Sequence, residues 1–149
     1  MRASLIFCLL LMCAKVQSQT NQPNLNIRLS FLVFPPISPL LTFEVRTIEK
    51  LTLQLETNFV NTHGVNLKYF TKERMNEHYL FVGTAFLESN FLRKDNNLTF
   101  LPYAGYGYAH RFGNTKQWVF DSRLGIGKTL NADKNLILPV LKTGIGKTF

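Results

Sequence analysis

The chain has 149 residues, with 17 lysines and arginines against 9 acids for a formal net charge of +8, and 46% of it is hydrophobic. That length fits one domain and leaves no room for several of usual size. The basic excess suits attraction to an anionic surface, while its scattered placement behind an export signal argues against a nucleic-acid partner.

The N-terminus carries Arg2, an apolar run from Leu5 to Ala14, and the small residues of Val16-x-Ser18. This pattern predicts a secretory signal over residues 1–18, cleaved near Ser18 so that Gln19 leads the mature chain. The apolar run is too short to cross a bilayer as a helix. Cys8 and Cys13 both lie inside it, so the exported domain of about 131 residues carries no cysteine and no disulfide framework. A lipoprotein reading of Cys13 fails on Leu11-Met12, where a small residue is wanted. Without Arg2 and Lys15 the remaining 15 basic residues oppose 9 acids, a net charge of +6. Residues 19–24 form a short polar segment before a single domain over 25–149.

From Leu25 onward the hydrophobic period is 2, not 3.6. Leu25, Ile27, Leu29, Phe31 and Val33 alternate with Asn26, Arg28 and Ser30, and Leu41, Phe43 and Val45 alternate with Thr42, Glu44 and Arg46. Leu51, Leu53, Leu55 and Phe59 alternate with Thr52, Gln54, Glu56 and Asn58, and Val65, Leu67 and Tyr69 with Asn66 and Lys68. Four less regular segments follow, Tyr79 to Leu87, Pro102 to Phe112, Trp118 to Lys128 and Pro139 to Phe149. The count is eight strands, most of about nine to eleven residues, the length a tilted strand needs to cross a bilayer.

Turn chemistry separates them at Pro35 to Pro39, Asn61 to Gly64, Lys72 to His78, Asn90 to Asn97, Gly113 to Gln117 and Asn131 to Asn135. Pro39, Pro102 and Pro139 are each expected at a strand's first residue, where no ladder donor is lost. Pro102 to Phe112 and Pro139 to Phe149 are similarly built, and in an up-and-down barrel they bring Phe112 and Phe149 to one rim.

Alternation alone does not say which face is inside. An eight-stranded barrel has room for side chains and little more, so an interior of some sixteen large apolar groups is too bulky. The opposite assignment puts Arg28, Glu44, Arg46, Gln54, Glu56, Asn58 and Lys68 inside, facing Gly83, Ala85, Gly105, Gly107, Ala109, Arg111, Asp121, Arg123, Gly125, Gly127, Lys142, Gly144 and Gly146. Its charges have both signs, which predicts an ion-paired network of Arg28, Glu44, Arg46, Glu56, Lys68, Arg111, Asp121, Arg123 and Lys142 plugging the lumen. Tyr69, Tyr79, Tyr108, Phe112, Trp118 and Phe149 are then expected outside near the strand ends, with His110 and Lys147 reaching an interface.

The segment Pro139 to Phe149 (PVLKTGIGKTF) resembles the C-terminal signal of outer-membrane barrels through Lys142, Gly144 and Phe149, with Lys147 standing where an apolar residue is usual. With the strand count and the alternation, the chain from Leu25 to Phe149 resembles the small eight-stranded outer-membrane β-barrel proteins of Gram-negative bacteria. The resemblance implies an all-β, antiparallel, up-and-down transmembrane barrel, inserted through its last strand by the barrel assembly machinery. It also implies a monomer among outer-membrane lipid, with a structural or surface-interaction role.

Other chemistry is weakly supported. Gly125 to Thr129 and Gly144 to Thr148 echo the end of a phosphate-binding loop, but Ser122 and Leu141 replace the earlier glycine. His63, His78 and His110 lack ligand spacing, so neither metal nor cofactor is expected. A Ser122, His110, Asp121 grouping would suit a lipid A hydrolase or transferase, but Asp121 and Ser122 are neighbours and point to opposite faces of a strand. Asn97-Leu98-Thr99 is a glycosylation sequon by pattern only. The rival reading is a secreted lipocalin-like barrel with inverted faces and an apolar ligand.

Overall fold

A computed structural model of the chain describes residues 25–32, 38–72, 76–88, 98–130 and 135–149. The signal peptide, residues 19–24, Val33, the Pro35 to Ile37 and Asn90 to Asn97 breaks, and Asn131 to Lys134 lie outside the described residues. The elements are β1 (Leu25–Leu32), β2 (Ser38–Ile48), β3 (Leu51–Thr57), β4 (Thr62–Phe70), β5 (Glu77–Glu88), β6 (Leu98–Phe112), β7 (Trp118–Lys128) and β8 (Ile137–Thr148). Each strand pairs antiparallel with the next, and β8 returns to β1, giving a closed up-and-down barrel. Closure gives every strand a neighbour on both sides.

Period 2 carries through the whole wall. In β1, β3 and β4 the even-numbered residues are buried, and the odd-numbered ones are more exposed throughout. β5, β6 and β7 reverse the parity, so Phe81, Tyr103, Asp121 and Arg123 face inward. The seam closes where Leu25 and Phe149 exchange backbone bonds, the Phe149 amide donating to Leu25 at 2.8 Å and the Leu25 amide to Phe149 at 3.4 Å. Phe112 lies opposite Trp118, and Trp118 opposite Lys147, so Phe112 and Phe149 do share one rim. We call this the near rim and the other the far rim.

Four expectations are corrected. Pro102 is the fifth residue of β6 and Pro139 the third of β8, not the first. Pro102 interrupts the β6–β7 ladder, and Pro139 lies outside the described part of the seam. Phe100 and Leu130 exchange backbone bonds, so the even residues of β6 direct their amides toward β7, and Pro102 sits in the gap between that bridge and the ladder starting at Tyr103–Gly127. The odd residues of β8 direct theirs toward β1, and Pro139 lies beyond Leu32–Lys142, the last seam pair among the described residues. Pro39 is likewise second in β2, after Ser38.

Second, β3 ends at Thr57, and the turn is Asn58 to Asn61 in place of Asn61 to Gly64. The Asn58 Oδ1 accepts from the amides of Val60, Asn61 and Thr62 at 3.0, 3.0 and 2.8 Å, so Asn58 caps the turn instead of entering the lumen. Phe59 takes a positive φ of 63° there, and Gly64 becomes a wall residue of β4. Third, Lys72 to His78 shortens, because Glu77 and His78 already belong to β5.

Fourth, Tyr79 is fully buried inside the barrel and not at an outer boundary. With Phe81 and Tyr103 it forms an inward column, ring centroids 6.2 and 5.9 Å apart. Glycines make room for it. A Cβ on Gly107 would strike the Tyr79 ring, and one on Gly105 would come within 2.8 Å of Phe81 Cζ.

A Gly107→Val substitution is therefore overpacked, and we expect it to cost about 1–3 kcal/mol. Urea unfolding followed by the fluorescence of Trp118, the chain's one tryptophan, measures this, and Tyr79→Ala in the same background should return part of the loss.

Candidate functional site in the barrel lumen

The charged side chains meet across the lumen in two groups. In the first, Asp121 of β7 takes Arg28 of β1 at 2.8 Å and Lys68 of β4 at 2.9 Å. Glu44 of β2 contacts the same two cations, Arg28 directly and Lys68 at 3.4 Å. Two cations and two carboxylates thus cancel. The Thr52 hydroxyl donates to Glu44 at 2.7 Å and the Tyr79 hydroxyl to Asp121 at 2.9 Å, filling acceptor positions that water would otherwise need to fill.

The second group lies further toward the far rim. Glu56 of β3 pairs with Arg123 of β7 and with Lys142 of β8. Gln54 is the hinge of this group: its amide donates to Glu56 at 2.6 Å and its carbonyl accepts from Arg123 at 3.2 Å. Lys142 also donates to the Tyr103 hydroxyl at 3.3 Å, and that hydroxyl donates to Asn66 at 2.5 Å. β3 and β7 are four strands apart in a ring of eight, so Glu56–Arg123 ties opposite walls together.

The aromatic column serves both groups. Lys68 stands 4.4 Å from the Tyr79 ring centre, Lys142 5.0 Å from Tyr103, and the Arg123 guanidinium 5.3 Å from Phe81. Those ring faces offer the cations further attraction where water is excluded. Parity is the signal that reveals the column, since Tyr79 and Phe81 share the face of Gly83 and Ala85. Arg46, 8% exposed, and Arg111, half-buried, lie on the same inner face toward the near rim. Toward the far rim the lumen is closed by apolar groups, including Leu32, Leu40, Leu87, Leu101 and Leu138.

The remaining candidates do not assemble. Asp121 points inward while its neighbour Ser122 and His110 sit on the other face, so the Ser122, His110, Asp121 grouping is not formed. Among the described residues no cluster of three His, Cys, Asp or Glu could hold a metal. The large apolar groups that an apolar ligand pocket would need inside, such as Leu29, Phe31 and Tyr69, face outward. Lys142 and Gly144 lie inside β8, and Phe149 ends the seam, its ring 5.5 Å from the Lys147 ammonium. No protein-family model, no curated protein and no solved structure matches this chain.

Replacing Glu56 with Gln leaves Arg123 and Lys142 buried without their carboxylate, and we expect a loss of about 3–5 kcal/mol in unfolding free energy. Adding Lys142→Met to Glu56→Gln removes one of the stranded charges and should restore part of the loss in the same urea titration.

Proposed function

We propose that the chain is an integral outer-membrane β-barrel of a Gram-negative bacterium, with a plugged polar lumen and a structural or surface-interaction role. One observation carries this reading: the polarity of a water-soluble protein is reversed. Leu80, Val82, Leu124 and Ile126 are 59 to 67% exposed on the outer wall, while Arg28 and Lys68 are 1% and 0% exposed within. Such a continuous apolar surface costs free energy in water and none in hydrocarbon. Closure meets the other demand of a bilayer, since a closed barrel satisfies its backbone groups between strands.

The ends of the barrel suit the boundaries of a membrane. Tyr69, Tyr108, Phe112, Trp118 and Phe149 lie exposed toward the near rim, with His78, His110 and Lys147 among them. Rings and polar tips of this kind favour the zone between water and lipid. Connections at the near rim have two, six and five residues, and those at the far rim have five, four, nine and eight. Outer-membrane barrels keep short turns on the periplasmic side, so the near rim faces the periplasm and the far rim the exterior. The ion-paired lumen and its apolar far end support a closed barrel and not a pore.

Fractionation tests the reading. The protein is expected in the outer-membrane fraction, released only by detergent, with a folded form that migrates differently on a gel before and after boiling. Deleting Phe149, which closes the seam, should remove most of that folded form. Release of the intact protein by salt or carbonate without detergent would overturn the proposal.

A further inference from the structure

The outer wall is not uniformly convex. Along β6 the outward residues shrink to Pro102 and Ala104, between Val82 on one side and Ile126, Lys128 and Ile137 on the other, leaving a trough of about 480 Å³. Phe100 and Tyr106 are the next outward residues on β6 at its two ends, six residues apart, a run of about 20 Å. The backbone contributes to the depression, since the β6–β7 ladder is interrupted at Pro102 opposite Lys128. The floor and walls are apolar, and the one charge stands at the end nearer the far rim. Lys128 is exposed, with no ion-pair partner among the described residues.

An apolar trough with a cation at its outer end fits an amphiphile with an acyl chain and an anionic head. Resting on the membrane reading and its orientation, we propose that this trough seats one acyl chain of the phosphate-bearing glycolipid of the outer leaflet, with Lys128 meeting the phosphate. The chain lies against Pro102 and Ala104, where larger side chains would exclude it. Its contacts are those of one lipid held in register with the wall, beyond the general solvation that lipid gives the rest of the barrel. A lipid of the inner leaflet would present its phosphate at the near rim, away from Lys128.

The test uses the full chain purified from membranes in detergent, titrated with diphosphorylated lipid A and read by native mass spectrometry. One retained lipid A per barrel is expected. Ala104→Leu, which fills the trough, should abolish that single retained copy. Lys128→Gln should weaken it about fivefold, the effect of one exposed ion pair. Val65→Leu, on the outer face of β4, should leave it unchanged. Heat-dependent gel migration checks that each barrel is folded, and because Lys128 is exposed its variant decides the matter even where Ala104→Leu does not assemble. Equal retention by wild type and Lys128→Gln, or equal retention of phosphatidylglycerol and lipid A, would overturn the site. A chain extracted without detergent would instead remove the membrane reading beneath it.

Discussion

Each of the three lumen carboxylates among the described residues holds two cations, and this shared pairing is the constraint on which the rest of the barrel depends. A lumen lined by eight strands has no volume to hydrate such groups individually, so every charge must find its counter-charge on another part of the wall. The apolar groups can face outward only because the polar ones satisfy one another within. The outer surface and the inner network are two sides of one alternation, and neither is stable without the other.

Shape follows from the same limit. Long side chains from β1 to β5 project across a lumen whose opposite wall, in β6 to β8, sets Gly105, Gly107, Ala109, Gly125, Gly127, Gly144 and Gly146 among Tyr103, Asp121, Arg123 and Lys142. A Cβ on Gly146 would collide with Arg28, as one on Gly107 would collide with Tyr79. The glycines are thus recesses in a close-packed interior, where one added methylene is felt. Gly125-Ile-Gly and Gly144-Ile-Gly owe their spacing to this arrangement, with glycine inward and isoleucine outward on successive residues.

Much of this is legible in the sequence because a strand's two faces are fixed by parity. Eight strands, their order and the inward position of Arg28, Glu44, Glu56, Lys68, Asp121, Arg123 and Lys142 all follow from period 2. What parity does not give is pairing. Nothing in spacing says that Glu56 reaches Arg123 and Lys142 while Glu44 and Asp121 share Arg28 and Lys68, since this depends on stagger between strands far apart in sequence. Tyr79 shares the parity of Gly83 and Ala85, but an aromatic residue near a strand end also suits an outer boundary, and the neighbouring glycine recess is visible only once β5 and β6 are in register. Pro102 escapes a sequence reading because nothing in the sequence shows that β6 starts before the proline, at Leu98, and bridges Phe100 to Leu130 on the other side of the interruption.

The seam between β1 and β8 has a kinetic meaning. Seven of the eight ladders join neighbours in the chain, so each can form as a hairpin at a small cost in loop entropy. The eighth joins Asn26 to Thr148 and carries the longest-range contacts of the fold. Until it forms, the meander is an open sheet with two unpaired edges and a half-built interior of unpaired charges. Closure completes both the backbone pairing and the counter-charges, and the seam is the ladder with the largest loop-closure cost.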